Sequence, residues 1–302
     1  MTGLAAFVMR GRLQALLVSI AGAGSLLFCW ISAAAVGLVT LRKGPSAGLS
    51  LLAWALLPSG LVLYAYGDSG PLTMLIGTTV LAIVLRSTVN LQFAVLASVP
   101  VGAITGLGLV AFGGDYLSQI VEVFGQLLTS MEDQLSSGEA QIIFARPDAV
   151  QVAGMLGAGT AASSILCLLL ARYWQAALYN PGGFGQEFKA LRFPPAATIA
   201  LALAGIAISS LGPQYGTWAI ICVLPLALAG VALVHAWVAA RRRGVGWLVG
   251  FYIVWVIFDP VKLAVIFIAV ADSWFDFRGR WSPTATREQT GHQTEKDQKN
   301  DD

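Results

Sequence analysis

The chain has 302 residues, of which 57% are hydrophobic and only 11% charged, with a formal net charge of +2. Soluble domains carry about 25% charged residues, so the composition excludes an ordinary soluble globular protein and points to a multi-pass membrane protein. Nothing in so small a net charge points to nucleic acid as a partner; the lipid bilayer is the first partner implied.

Apolar segments cover 13–41, 47–66, 71–85, 91–112, 149–179, 196–211, 217–240 and 246–271, each bounded by Gly, Pro or charge. A helix needs about 20 apolar residues to cross a bilayer, and none of these runs alternates with the period of two that a membrane barrel strand shows. The expected fold is all-α, a polytopic transmembrane bundle of eight or nine spans. It forms a single integral membrane domain over residues 1–280.

The first run, 13–41, is far longer than the roughly 7–15 apolar residues of a cleavable signal, and it follows Arg10 and Arg12. A break near Phe28-Cys29-Trp30 puts both Arg10/Arg12 and Arg42/Lys43 on one side of the membrane. The run 246–271 has Asp259-Pro260 at its centre, where proline removes a helical hydrogen bond; whether it crosses once or folds back stays open, and so does the side of the C-terminus.

Basic residues mark alternate connections: Arg42 and Lys43, Arg86, then Arg172, Lys189 and Arg192, then Arg241–Arg243. By the positive-inside bias these connections are cytoplasmic. The others hold Asp68, the acidic segment 113–148 and the uncharged 212–216. The predicted location is a bacterial cytoplasmic (inner) membrane.

Within 113–148, Leu117, Ile120, Phe124, Leu127, Leu128, Met131 and Leu135 recur at helical spacing with Glu122, Gln126, Glu132 and Asp133 between them. This predicts an acidic amphipathic extracytoplasmic helix of about five turns, ending near Ser136-Ser137-Gly138. It is either a surface or bundle-capping helix, or a lid or docking helix for an extracytoplasmic ligand.

Residues 180–194 predict a cytoplasmic turn and interfacial helix. Trp174 and Tyr179 close the preceding span, Asn180-Pro181-Gly182-Gly183 turns, and Phe184, Phe188 and Leu191 share a face opposite Lys189 and Arg192 before Pro194 stops the helix. The six residues Trp174, Tyr179, Phe184, Phe188, Lys189 and Arg192 form a candidate cytoplasmic interface, suited to anionic lipid headgroups or a docking partner.

Asp259 and Lys262 stand three apart, a candidate intramembrane ion pair. Ala15, Ser19 and Ala23 on the first helix, and Gly102 and Gly106 as GxxxG, form a candidate helix-docking face, because small residues let backbones approach closely. His235 reads as a packed or interfacial histidine. Cys29, Cys167 and Cys222 lie in apolar runs at no metal-ligand spacing and read as buried small hydrophobes. The polar tail 281–302 is expected to be disordered.

The chain carries no GxxxxGK[ST], HExxH or CxxC motif, and Gly154, Gly157 and Gly159 lie in an apolar helix without the strand a nucleotide loop requires. With two histidines in the whole chain, no catalytic residue, metal site or cofactor site is in view, and the expectation is a protein that is not an enzyme.

The runs RYWQAALYNPGGFGQEFKALRFP, GLVTLRKGPSAGLSLLAWALL and ADSWFDFRGR resemble the YybS-like family of bacterial multi-pass membrane proteins, a domain of unknown function, over residues 13–280. Asn180 through Arg192 and Asp272 through Arg278 carry the resemblance most specifically. That family is similar in turn to the substrate-binding membrane components of energy-coupling-factor vitamin transporters. The similarity implies that small residues on the first helix, here Ala15, Ser19 and Ala23, pack against a partner membrane subunit. The chain departs from those components in its acidic amphipathic insertion and its extra C-terminal spans. The resemblance implies a transporter-like solute-binding component working with partner subunits; the alternative is a membrane scaffold of the cell envelope with no transported ligand.

Overall fold

The computed structural model describes residues 2–135 and 143–281, which fold as α-helices joined by short turns, with no strand among the described residues. The expected helix end at Ser136-Ser137-Gly138 and the tail beyond Trp281 lie outside the described residues. In chain order the helices are α1 (Thr2–Arg10), α2 (Arg12–Ala23), α3 (Cys29–Lys43), α4 (Pro45–Tyr66), α5 (Gly70–Thr88), α6 (Leu91–Leu96), α7 (Ser98–Phe112) and α8 (Gly114–Leu135). They continue with α9 (Ala149–Tyr179), α10 (Gly183–Lys189), α11 (Pro195–Ser210), α12 (Gly216–Ala240), α13 (Gly246–Ile257), α14 (Asp259–Phe275) and α15 (Phe277–Trp281).

Five segments are long and apolar enough to cross a membrane: Pro45–Tyr66, Gly70–Thr88, Leu91–Phe112, Ala149–Tyr179 and Pro213–Ala240. A sixth is counted if the bent pair α13 and α14 is one span. The apolar helices α2 and α11 are shorter, at 12 and 16 residues.

Residues 1–280, expected as one domain, cluster by contact into two compact units. The first comprises Met1–Glu187 and Ile199–Pro225, the second Phe188–Thr198 and the chain from Leu226 onward.

In the first unit the run 13–41 is broken, as its length and flanking charges require. Helix α2 stops at Ala23 and α3 restarts at Cys29, with Gly24 to Phe28 as the connection. The two legs are about 18 and 22 Å long at 1.5 Å per residue. They pack closely because the contact is lined by small side chains: Ser32 donates to the Ser19 carbonyl at 2.6 Å. A Cβ on Gly22 would stand 3.0 Å from that of Ser32. Ala15, Ser19 and Ala23 are all buried, so this small-residue face is covered by the chain's own helices. Gly44, with φ of 110°, makes the sharp turn from Lys43 into Pro45 that an L side chain would strain.

The central contact of the first unit is α7 against α9. A Cβ on Gly102 would lie 2.8 Å from the Gly157 carbonyl oxygen, and one on Gly157 would lie 2.6 Å from that of Gly102. Gly106 is packed against the Trp218 ring and the Ala153 carbonyl. The GxxxG pair therefore serves helix approach inside the chain. Helix α9 begins with a capping box: Asp148 accepts from the Gln151 N–H at 2.7 Å, and Gln151 Oε1 accepts from the Asp148 N–H at 3.0 Å.

Helix α8 forms over the stretch whose periodicity predicts it, with 22 residues. Its first turns are anchored in the bundle: Leu117 is buried against Val152 and Ala153, with Ile120 and Val121 beside it. Further along, Val123, Leu127, Met131 and Leu135 are exposed. The chain returning to α9 is tied back through Glu132, which accepts from the Phe144 N–H at 2.8 Å and pairs with Arg146 at 3.3 Å.

In the second unit α13 and α14 meet at a 115° bend at Phe258. Pro260 cannot continue the preceding helix but is well placed in the first turn of the next one. Gly230 on α12 permits the approach of α14, since a Cβ there would lie 2.5 Å from a Val265 methyl group.

Candidate functional site

A cavity of about 340 Å³ opens in the first unit where the α2–α3 connection, the α4–α5 turn, α7, α8 and α9 converge. Its polar lining includes Asp68, Thr73, Thr160, Ser163 and Tyr116, and its apolar wall Leu26, Met74, Leu109, Met155 and Leu156. The volume lies in the usual range for small-molecule sites, as does a mostly apolar wall carrying a few placed polar groups.

Local sequence positions these groups. Asp68 sits in the tight link Gly67–Ser69 between two helices, and its Oδ1 accepts from the Gly70 N–H at 2.8 Å, an Asx turn that fixes the carboxylate. Thr73, one turn into α5, meets Thr160 on α9 with hydroxyl oxygens 3.2 Å apart. Tyr116, in the first turn of α8, reaches over to Asp68 Oδ1 at 3.4 Å, a long and weak contact for an O–H donor. Burial, and next the adjacent Asp68 charge, push the Tyr116 phenol up to about 12, so it is a neutral donor across the physiological range. Asp68 Oδ2 accepts from no donor among the described residues. Among the described residues the cavity lining contains one carboxylate and no basic side chain.

Cys29 also lines this cavity. It is only partly buried, which corrects its reading as a buried hydrophobe; Cys167 and Cys222 are buried as expected. The sequence reading used Asp68 only as a charge that marks a loop, and it missed Tyr116, Thr73 and Thr160 altogether. The available signal was a carboxylate in an Asp-Ser-Gly-Pro turn flanked by two apolar runs.

The candidate interface around 174–192 is divided. In the first unit Trp174 is 1% exposed, so it is a core residue and not part of a surface. It faces inward because α9 is packed along most of its length by α3, α5 and α7. Tyr179 is exposed and carries the Arg42 guanidinium 4.2 Å from its ring centre. Phe184 packs edge-on against Tyr173 at 6.0 Å, and Arg172 pairs with Glu187 at 2.7 Å.

In the second unit the helix ends at Lys189, five residues before Pro194. Leu191 and Phe193 are buried, so this end of the stretch is core packing. Phe188 lies edge-on against His235 at 5.4 Å, and His235 against Tyr252 at 5.9 Å, which makes His235 a packed residue.

Lys189 and Arg192 meet the end of α14. Asp272 has no exposed surface; it accepts from the Phe277 N–H at 2.9 Å and from Arg278 Nε at 3.1 Å. The Arg278 guanidinium also donates to the Lys189 carbonyl. Burial lowers its pKa, opposed chiefly by the charge of Asp272. Arg192 pairs with Asp276 at 2.6 Å. Asp276 adopts φ of 44° at the helix C-terminus, a left-handed position that Asp tolerates better than most residues. Lys189 and Arg192 thus share one ionic cluster with Asp272, Asp276 and Arg278.

Asp259 and Lys262 pair at 2.6 Å as their spacing predicts, with Asp259 in the first turn of α14, where a carboxylate is favoured. Both side chains are accessible, so the pair closes a helix break and is not a buried relay. Among the described residues no group of three or more His, Cys, Asp or Glu side chains is placed to hold a metal ion. Comparison with protein-family models, with curated proteins and with solved structures finds no match to this chain.

Proposed function

We propose that the chain is a transporter-like solute-binding membrane component, and that its site is the Asp68–Tyr116 cavity. The observation that carries this reading is a small-molecule-sized cavity with one fixed carboxylate, paired hydroxyls, an apolar wall and Tyr116 contributed by the first turn of an amphipathic helix. A carboxylate without a basic neighbour selects a cationic or donor-rich small solute and disfavours an anion. The site binds its solute without converting it, and α8 acts as the lid, hinged at its anchored first turns.

The topology that goes with this reading has eight or nine spans in the bacterial inner membrane. Helices α2 and α3 form a hairpin with Arg12 and Lys43 at the cytoplasmic side, and the bend between α13 and α14 returns Arg278 to the side of Lys189 and Arg192. The acidic helix and Asp68 are then extracytoplasmic, so solute enters from outside. Partner subunits supply energy from the cytoplasmic side. A YybS-like membership agrees with this architecture.

The test is thermal stabilisation of the detergent-purified protein by a panel of small amines, neutral polyols and amides, and carboxylates. A ligand at about 100 times its Kd adds roughly 2.7 kcal/mol of stability. Stabilisation by amines that is lost in Asp68→Asn supports the reading. A panel in which no class stabilises the protein, or carboxylates do so best, sinks it.

One observation favours the scaffold reading: the distal half of α8 exposes Val123, Leu127 and Leu135 beside Glu122 and Asp133. A partner protein bound there would be lost on Leu127→Lys, while a lid would keep its solute affinity within a few fold.

A further inference from the structure

A second cavity, of about 460 Å³, lies in the first unit between α2, α3 and α4. Arg12 from the start of α2 and Lys43 from the end of α3 both line it, with Ser46 and Ser50 on the first turns of α4. No carboxylate lines the cavity, and neither cation enters an ion pair among the described residues. The rest of the wall is apolar: Ala15, Leu16, Val39, Leu51 and Trp54.

This arrangement is amphiphilic in one direction. Two cations and two hydroxyls gather where helices begin and end, and aliphatic and indole surface continues along the helix bodies. The start of α4 adds unsatisfied backbone N–H groups and the positive end of a 22-residue helix dipole. A free anion would use only the polar part. A molecule with a phosphate head and an acyl chain would use both, and basic pockets between membrane helices characteristically take such headgroups.

We infer that the α2–α3–α4 cavity is a binding site for an anionic phospholipid, its phosphate held between Arg12 and Lys43 and its acyl chain lying along Leu16, Leu51 and Trp54. The site is separate from the Asp68 cavity, and its failure or success leaves the solute reading untouched. It also accounts for two cations that the fold brings together without a counter-charge.

The experiment is thermal stabilisation and native mass spectrometry of the full chain in dodecyl maltoside micelles. The micelles are doped with dioleoyl phosphatidylglycerol or dioleoyl phosphatidylcholine, and parallel samples contain inorganic phosphate or glycerol phosphate without chains. Two basic groups at about a fivefold gain each predict a roughly thirtyfold preference for phosphatidylglycerol over phosphatidylcholine. Arg12→Gln with Lys43→Gln should abolish that preference. Ser50→Trp, which keeps both cations and fills the cavity, should abolish retention of the lipid and decides the matter if the double variant does not fold. Equal binding of both lipids, or a preference that survives these variants, overturns the proposal. Glycerol phosphate or inorganic phosphate stabilising as well as the lipid overturns it in favour of a soluble phosphate-bearing ligand.

Discussion

Arg278 is held 3.1 Å from a carboxylate, Asp272, that has no exposed surface, while the neighbouring Arg192–Asp276 pair at 2.6 Å is largely open. The two pairs share a cluster but differ in burial, and burial decides what each is worth. Removing one partner of a buried pair leaves an uncompensated charge and costs about 3–5 kcal/mol, whereas an exposed pair contributes about 0–1 kcal/mol. Asp272→Asn should therefore lower the thermal midpoint in detergent sharply, and Asp276→Asn should barely move it. Asp272→Leu combined with Arg278→Met should recover much of the loss. Equal effects of the two single variants would show that the cluster acts as one surface network.

The α7–α9 contact gives a second contrast. Gly157→Ala would press a methyl group to 2.6 Å from the Gly102 carbonyl oxygen, while a Cβ at Gly159 meets nothing within 4 Å. Overpacking a tight contact costs about 1–3 kcal/mol, so Gly157→Ala should destabilise and Gly159→Ala should not. Thermal midpoints of the two variants, measured side by side, check this.

Among the described residues Trp174 is the largest fully buried side chain, and its indole N–H finds no acceptor among them. Trp174→Phe keeps most of the packing and loses no hydrogen bond, and should cost far less than Trp174→Ala, at about 3–5 kcal/mol. A Phe variant as damaging as Ala would mean that the N–H has a partner, such as a bound water.

Tyr116 supplies a pH prediction. Its phenol ionises near 10 in the unfolded chain and is pushed up to about 12 in the fold, first by burial and then by Asp68. The folded state therefore holds its proton while the unfolded state loses it, so this group's stabilising contribution is complete below pH 10 and is lost as pH rises from about 10 to about 12. Titration followed by tyrosinate absorbance should show one high-pH group missing in Tyr116→Phe, and Asp68→Asn should shift it downward. An unchanged alkaline titration in Tyr116→Phe would place the raised group elsewhere.

Helix positions were legible in the sequence because apolar length and Pro/Gly punctuation act locally. The break of 13–41, the fold of α8 and the Asp259–Lys262 pair all follow from charge and spacing within a few residues. What each face touches was less legible. An aromatic near a helix end reads as an interfacial anchor, yet Trp174 is core because it lies on the face of α9 that is buried inside the chain. Leu191 and Phe193 likewise left the predicted surface helix for the core.

The sequence by itself determined an all-helical fold among the described residues, with several helices apolar enough to cross a membrane, and which connections carry charge. Burial of apolar residues and the cost of breaking backbone hydrogen bonds are properties of short segments, so they can be read from one chain. Tertiary structure alone decided that Asp68, Tyr116, Thr73 and Thr160 meet at one cavity, that Arg12 and Lys43 meet at another, and that Lys189 and Arg192 join 272–278. These groups stand 43, 48, 87, 31 and 84 residues apart in various pairs. Each meeting depends on which small residues let which helices approach, and that complementarity belongs to pairs of surfaces rather than to any single segment.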